Sequence, residues 1–334
     1  MLKTPKFWQS KGLISTLLLP LAKIYQFISS KDLAKKAQQA QKLPKATIVI
    51  GNINVGGTGK TPATITITKA LQKQGLKVGI LTRGFGRKSQ TLHLATTQST
   101  AAEMGDEPYL IYQKTKAPMA VDASRYHAGL ALLTAEPDID CFICDDALQH
   151  RQLHRDIEII VVGQQGFGNE RIFPAGPLRE SISRLQKADY ILSNNANLQI
   201  LQQQTDTEII SLYSELLAPI NLQSNAQKSF TDFQKIPFTA IAGIAHPENF
   251  YNMLRKKGLE FNVCSFPDHF QYSEADLSPI KTPILMTEKD ATKCQHLTRD
   301  DLWAVPLENK ICSKFIDTLV SKINALNATD KKRE

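Results

Sequence analysis

Residues 46–62, "ATIVIGNINVGGTGKTP", constrain this chain more than any other stretch. A run of apolar, largely β-branched residues over 46–53 reads as a strand buried on both faces, and it leads straight into a glycine-rich turn. The spacing predicts a helix from Lys60 to Gln74, closed by Gly75. Strand, glycine turn and helix in that order make a phosphate site, because the N–H groups of Gly56 to Thr61 and the positive helix end converge on an anion. Glycine serves there because it lacks a Cβ and accepts positive φ. In such a loop Lys60 reaches the β- and γ-phosphates of a nucleoside triphosphate and Thr61 ligates Mg²⁺. Pro62 falls in the first helical turn, where its missing N–H costs nothing. The binding segment is Asn54, Val55, Gly56, Gly57, Thr58, Gly59, Lys60, Thr61 and Pro62. The strict phosphate-loop pattern asks for glycine where this chain has Asn54, so the turn must be made differently here.

A phosphate site also needs a carboxylate to hold the metal. The run "CFICDD" supplies it as an apolar strand ending in Asp145 and Asp146. Strand C-termini share one edge of a parallel sheet, so this pair and the loop can face the same crevice. One aspartate serves Mg²⁺, and the residues alone do not say which. Cys141 and Cys144, three apart on a strand, point to opposite faces; no second pair completes a zinc site, so both are read as core. The odd count of five cysteines fits reduced thiols in a cytosolic setting rather than a disulfide framework. ATPases of the MinD/ParA class share the G-G-x-G-K-T loop but carry a lysine just before the glycine pair. Val55 stands there, which argues against a dimerising regulatory switch.

Further apolar strands at 77–83, 117–122, 140–146, 156–163 and 189–194 alternate with helices at 102–115 and 124–136, the second capped by Ser124. The fold class is α/β, a P-loop NTPase-like parallel sheet with helices on both faces. The Gln/Asn/Ser-rich stretch 203–235 reads as a connection to a second, smaller α/β set that ends in a helix over 309–326 and a frayed tail. A length of 334 residues suits about two domains. The expected division is an N-terminal amphipathic helix at 1–40, a P-loop core at 41–220, and a smaller domain at 236–328 that closes the active-site cleft.

The net charge is +8, and residues 1–36 hold seven lysines against the single acid Asp32. Leu13, Leu17, Leu21, Ile24 and Ile28 recur at helical spacing, with Trp8, Tyr25 and Phe27 beside them. The longest apolar stretch is ten residues, half of what a spanning helix needs. Two readings remain: a helix lying in the plane of an anionic membrane, or one whose apolar face packs on the protein itself. Neither aromatic nor basic clusters on the sheet domains point to nucleic acid, and no obligate protein partner is evident.

Taken together, "GNINVGGTGKTP", "TRGFGRK", "MGDEPYL", "DDALQHRQLHRDIEIIV", "FPAGPLRE" and "FPDHFQYSE" closely resemble the tetraacyldisaccharide 4′-kinases, over nearly the whole chain. The resemblance implies ATP and Mg²⁺ as cosubstrate and cofactor, and a lipid A disaccharide precursor as acceptor. It also implies peripheral attachment to the cytoplasmic face of the inner membrane of a Gram-negative bacterium. By position it implies Asp106 as base with His269 as partner, and Lys60 and Arg179 on the transferring phosphate. Glu180 and Arg125 are further candidates, and Asp145 and Asp146 form the metal pair. Phe85 replaces a tyrosine common in the family, and Ala147 a glycine. Read without the resemblance, "GDE" is also an ordinary helix-start charge, His269 a packed turn residue, His150 and Arg151 sheet-edge supports, and Glu288-Lys289-Asp290 a helix start.

Overall fold

The computed structural model describes residues 5–87, 89–163, 165–194 and 198–330. It begins with a 3-10 turn at Lys6–Gln9 and two helices, α1 (Leu13–Leu17) and α2 (Leu19–Gln38). Then come β1 (Ala46–Gly51), α3 (Lys60–Lys73), β2 (Val78–Thr82), β3 (His93–Leu94), α4 (Ala101–Met104), α5 (Asp106–Thr115) and β4 (Met119–Val121). α6 (Arg125–Ala135), β5 (Cys141–Cys144), β6 (Ile157–Val162), β7 (Tyr190–Asn194), α7 (Leu198–Gln204) and β8 (Ile209–Leu216) follow. These strands lie in the order β8-β7-β6-β1-β5-β2-β4-β3, parallel except where β3 meets β4.

The unbroken apolar runs follow from burial on both faces. Ile48 and Ile50 of β1 pack in one layer with Ala63, Ile67 and Leu71 of α3, while Val49 faces the other layer with Ala128 and Leu132 of α6. Each fully buried isoleucine or leucine contributes roughly 1.5–3 kcal/mol, so a polar residue at any of them would be severe. Cys141 joins the first layer and Cys144 the second, as residues three apart on a strand must. Burial pushes both thiols up to about 12, the behaviour of core residues rather than ligands.

The chain divides into two compact units, the larger holding residues up to Tyr213 and from Lys310 onward, the smaller Ser214–Asn309. The smaller unit contains β9 (Ile220–Asn221), α8 (Phe230–Phe233), β10 (Thr239–Ala242), α9 (Pro247–Lys256), β11 (Asn262–Ser265) and α10 (Glu274–Leu277). β12 (Ile284–Thr287), α11 (Glu288–Cys294) and β13 (Leu302–Val305) complete it, and β14 (Leu307–Lys310) carries the chain back. Its sheet runs β11-β10-β12-β13-β9, parallel except for β9 against β13.

Three expectations change. The stretch 203–235 is not a plain connection, since it contains β8, β9 and α8. β8 buries Ile210, Leu212 and Leu216 and exposes Tyr213, a period-2 pattern diluted by its polar neighbours. The final helix, α12, spans Ser313–Asp330 rather than 309–326, so the tail is helical to that point; residues 331–334 lie outside the described ones. α12 also belongs to the larger unit, where Phe315, Ile316, Leu319 and Ile323 pack beside α3, so the expected 236–328 domain shifts at both ends.

The N-terminal segment is held to the rest of the larger unit by a few contacts around Trp8, Ser15, Ala22 and Tyr25. Trp8 is buried and its indole N–H donates to the Pro174 carbonyl at 3.0 Å. Ser15 is fully buried, donates to the Ala175 carbonyl at 2.9 Å, and accepts from Asn169 and Arg171 at 2.8 Å each. Tyr25 stacks edge-on against Phe173. The apolar stripe therefore faces away from the described protein: Leu13 is 76% exposed, Leu17 70%, Ile24 56% and Ile28 61%. Packing of that stripe on the chain itself is overturned.

Candidate active site

The glycine loop sits between β1 and α3 as its pattern predicts. Gly56 and Gly59 adopt positive φ of 105° and 92°, values a side chain would resist. Gly59 is the N-cap of α3 and no side chain caps that end, so the first-turn N–H groups point into the loop as an anion site requires. Asn54 shows how the turn is made without the usual glycine. Its amide donates to the Gly166 carbonyl at 2.8 Å, and Val55 N–H donates to the Pro177 carbonyl at 2.7 Å. Asn52, which the motif did not single out, is buried and donates to Thr58 Oγ1 at 2.8 Å, bracing the loop from inside.

The same backbone pairing brings in "GPLRE". Arg179 N–H donates to the Ile53 carbonyl at 2.7 Å, which seats Arg179 alongside the start of the loop. Its guanidinium touches Gln149 Oε1 at 3.5 Å, and Gln149 Nε2 in turn donates to the Asn52 carbonyl at 3.1 Å. Glu180 is placed differently: it accepts from Gln149 at 2.9 Å and pairs with Arg151 at 3.3 Å and Arg184 at 3.4 Å. Arg184 also pairs with the buried Glu158 of β6, alongside Arg155. Arg151 thus supports the sheet edge, and burial pushes the His150 imidazole down to about 4, which leaves it neutral.

Asp145 and Asp146 end β5 beside this loop. Lys60 Nζ lies 3.5 Å from Asp146 Oδ1, and Thr64, one turn into α3, donates its hydroxyl to Asp145 Oδ1 at 2.7 Å. Asp146 has φ 46°, a left-handed conformation that aspartate tolerates better than most residues. Burial, then the Asp146 and Glu107 charges, push the Asp145 carboxyl up to about 7. Arg125 begins α6, whose N-cap Ser124 accepts from His127 N–H as expected. Its guanidinium is buried and feels both aspartates and Arg83, and its Nε has no hydrogen-bond partner among the described residues. Burial holds it below the usual arginine range.

A cationic loop, two aspartates and two arginines gathered at one sheet edge suit triphosphate chemistry, and the comparisons say which kind. The profile of the family described as "Tetraacyldisaccharide-1-P 4'-kinase" matches residues 14–324. The chain belongs to the tetraacyldisaccharide 4′-kinase family. It is 39% identical to the tetraacyldisaccharide 4′-kinase of Dechloromonas aromatica over 310 residues, covering 92% of each chain. To that of Pasteurella multocida it is 38% identical over 332 residues, covering 97% of this chain and 99% of the relative. A solved structure of Aquifex aeolicus LpxK in complex with ATP superposes with a TM-score of 0.77 at 27% identity, covering 93% of this chain and 99% of that one.

Within this tetraacyldisaccharide 4′-kinase family member, the helix expected over 102–115 breaks at Gly105, φ 94°, into α4 and α5. A Cβ at Gly105 would lie 2.7 Å from the Phe85 carbonyl oxygen, so the "RGFG" and "MGDE" turns touch. The break makes Asp106 the first residue of α5, half-buried at the helix N-terminus, rather than an interior position. Phe85 itself is 66% exposed. In the smaller unit His269 also adopts positive φ, 61°, and its N–H donates to the Gly243 carbonyl at 3.2 Å. Glu288-Lys289-Asp290 does start a helix, with Thr287 accepting from Asp290 N–H.

Among the described residues no three His, Cys, Asp or Glu side chains gather as an all-protein metal cage. Mg²⁺ that arrives with a nucleotide needs only one or two carboxylates, its other ligands being phosphates and water. The Asp145–Asp146 pair, fixed by Thr64 and adjoining Lys60, fits that demand. Thr64 and Glu107 were legible in principle, one helical turn from Thr61 and next to Asp106.

Proposed function

We propose that this chain transfers the γ-phosphate of ATP to the 4′-hydroxyl of a tetraacyldisaccharide 1-phosphate, a step in making lipid A. The observation that carries the reading is the meeting of Lys60 with Asp146 at 3.5 Å, which joins phosphate loop and metal pair in a member of this kinase family. Lys60 and the loop N–H groups hold the β- and γ-phosphates, and Arg179 and Arg125 offset charge on the transferring oxygens. Asp106 orients the 4′-hydroxyl and takes its proton, with His269 as its partner. Asp145, Asp146 and Thr61 would hold Mg²⁺, whose charge would neutralise the phosphates. Purified protein given γ-labelled ATP and tetraacyldisaccharide 1-phosphate should place label in the lipid. Release of free phosphate alone would support a regulatory switch instead.

The acceptor carries four acyl chains, so the site must be reached from a membrane surface. No helix is long and apolar enough to cross one among the described residues. The outward stripe and the N-terminal lysines support attachment in the plane of the cytoplasmic leaflet of the inner membrane. Replacing Leu17, Ile24 and Ile28 by glutamate spares the Trp8 and Ser15 anchors. It should weaken binding to anionic vesicles by on the order of 10²-fold or more. Unchanged co-sedimentation with vesicles would remove this helix from the membrane contact.

A further inference from the structure

In the smaller unit, the turns after β10, β11 and β12 lie at the C-terminal edge of a parallel sheet, where α/β folds place their chemistry. Three of the groups there meet. Asp268 Oδ1 is buried without a hydrogen-bond partner among the described residues, yet His269 Nε2 lies 3.9 Å from it and Lys289 Nζ 3.7 Å. A third base, His246 at the start of α9, is close enough for the Asp268 charge to act on it. A buried carboxylate oxygen with an ammonium and an imidazole just beyond hydrogen-bond range is a poor device for stability alone, because its desolvation is only partly repaid.

The backbone around it is held hard. Asp290 accepts from Gly243 N–H at 3.1 Å, Tyr272 Oη at 3.1 Å and Thr287 Oγ1 at 2.7 Å. Gly243 in turn accepts from His269 N–H, which keeps the histidine in its left-handed conformation. The turn "TEKD" therefore serves twice. Asp290 fixes the backbone that carries His269, and its neighbour Lys289 reaches the carboxylate that faces the imidazole.

We propose that Asp268 and Lys289 are positioning residues for His269. Asp268 Oδ1 lies on the Nε2 side of the ring and Lys289 Nζ adjoins the same oxygen, so together they set the orientation in which His269 meets the acceptor. The inference rests on the reading that His269 takes part in transfer.

The test is a set of variants of the full chain assayed with ATP and tetraacyldisaccharide 1-phosphate. Lys289→Met and Asp268→Asn should each lower kcat about 10-fold or more, with KM for ATP within about twofold, the size usual for residues that orient a functional group. Lys289→Arg should recover most of the loss. Combined with His269→Ala, either change should cost less than about twofold beyond His269→Ala alone, since groups acting as a unit are non-additive. Losses that multiply on a strongly impaired His269→Ala background overturn the positioning role and leave the reading of His269 standing. A nearly normal His269→Ala enzyme overturns both. Should Asp268→Asn fail to fold, the Lys289 pair carries the test, because that side chain is at the rim of the cluster, 18% exposed.

Discussion

Lys60→Ala should lower kcat for lipid phosphorylation by on the order of 10²–10³-fold, the range seen when one preorganised charge or donor is removed from a transferring oxygen. The fold should survive. Lys60 is the first residue of α3, a position alanine occupies readily, and its partner Asp146 is 41% exposed on the side chain, so the lost ion pair is screened by water. The melting temperature should stay within a few degrees, as about 1 kcal/mol or less would imply for a chain of this size. Lys60→Arg should not restore the rate, because the longer planar group cannot sit as a point charge where the loop glycines bring the phosphate. Near-normal turnover with an unchanged melting profile would remove the phosphate-loop assignment itself, since nothing else in that segment offers a side-chain cation.

Asp106→Ala and His269→Ala should each lower kcat by about 10²-fold or more, with ATP affinity little changed, because neither is proposed to touch the nucleotide. The double variant should be scarcely worse than the poorer single one if the carboxylate takes the proton and the imidazole orients or polarises it. Asp106→Asn is the sharper probe. It keeps the size and the helix-start position of Asp106 while removing the basic oxygen, so a loss matching Asp106→Ala would separate proton acceptance from simple capping of α5. Single-variant losses that multiply in the double variant would show independent roles, and the pair would then no longer be treated as a unit.

Local chemistry made much of this protein legible without a structure. β-branched runs name strands, glycine and the residues after it name the loop and the start of α3, and Gly75 at φ 85° ends that helix as read. Cys141 and Cys144 separate onto two faces because strand geometry has a period of two, and Ser124 caps α6 because its hydroxyl reaches the third N–H. The motif set carried the family as well. What was not legible depended on pairings across long separations. Arg179 joins the phosphate loop only because residues 177–179 pair with 53–55, and Asp145 meets Thr64 across 81 positions. Asp106 heads a helix because the chain breaks at Gly105, φ 94°, in close approach to the Phe85 carbonyl, which no helical pattern encodes. Residues 209–216 form a strand in a polar stretch because β7 offers an open edge to pair with. The N-terminal stripe was amphipathic in either reading, and periodicity cannot say which side meets the protein. Trp8, Ser15 and Asn169 decided it by hydrogen-bonding the segment down, with Ala22 buried and Tyr25 against Phe173 on the same side, which leaves Leu13, Leu17, Ile24 and Ile28 facing outward.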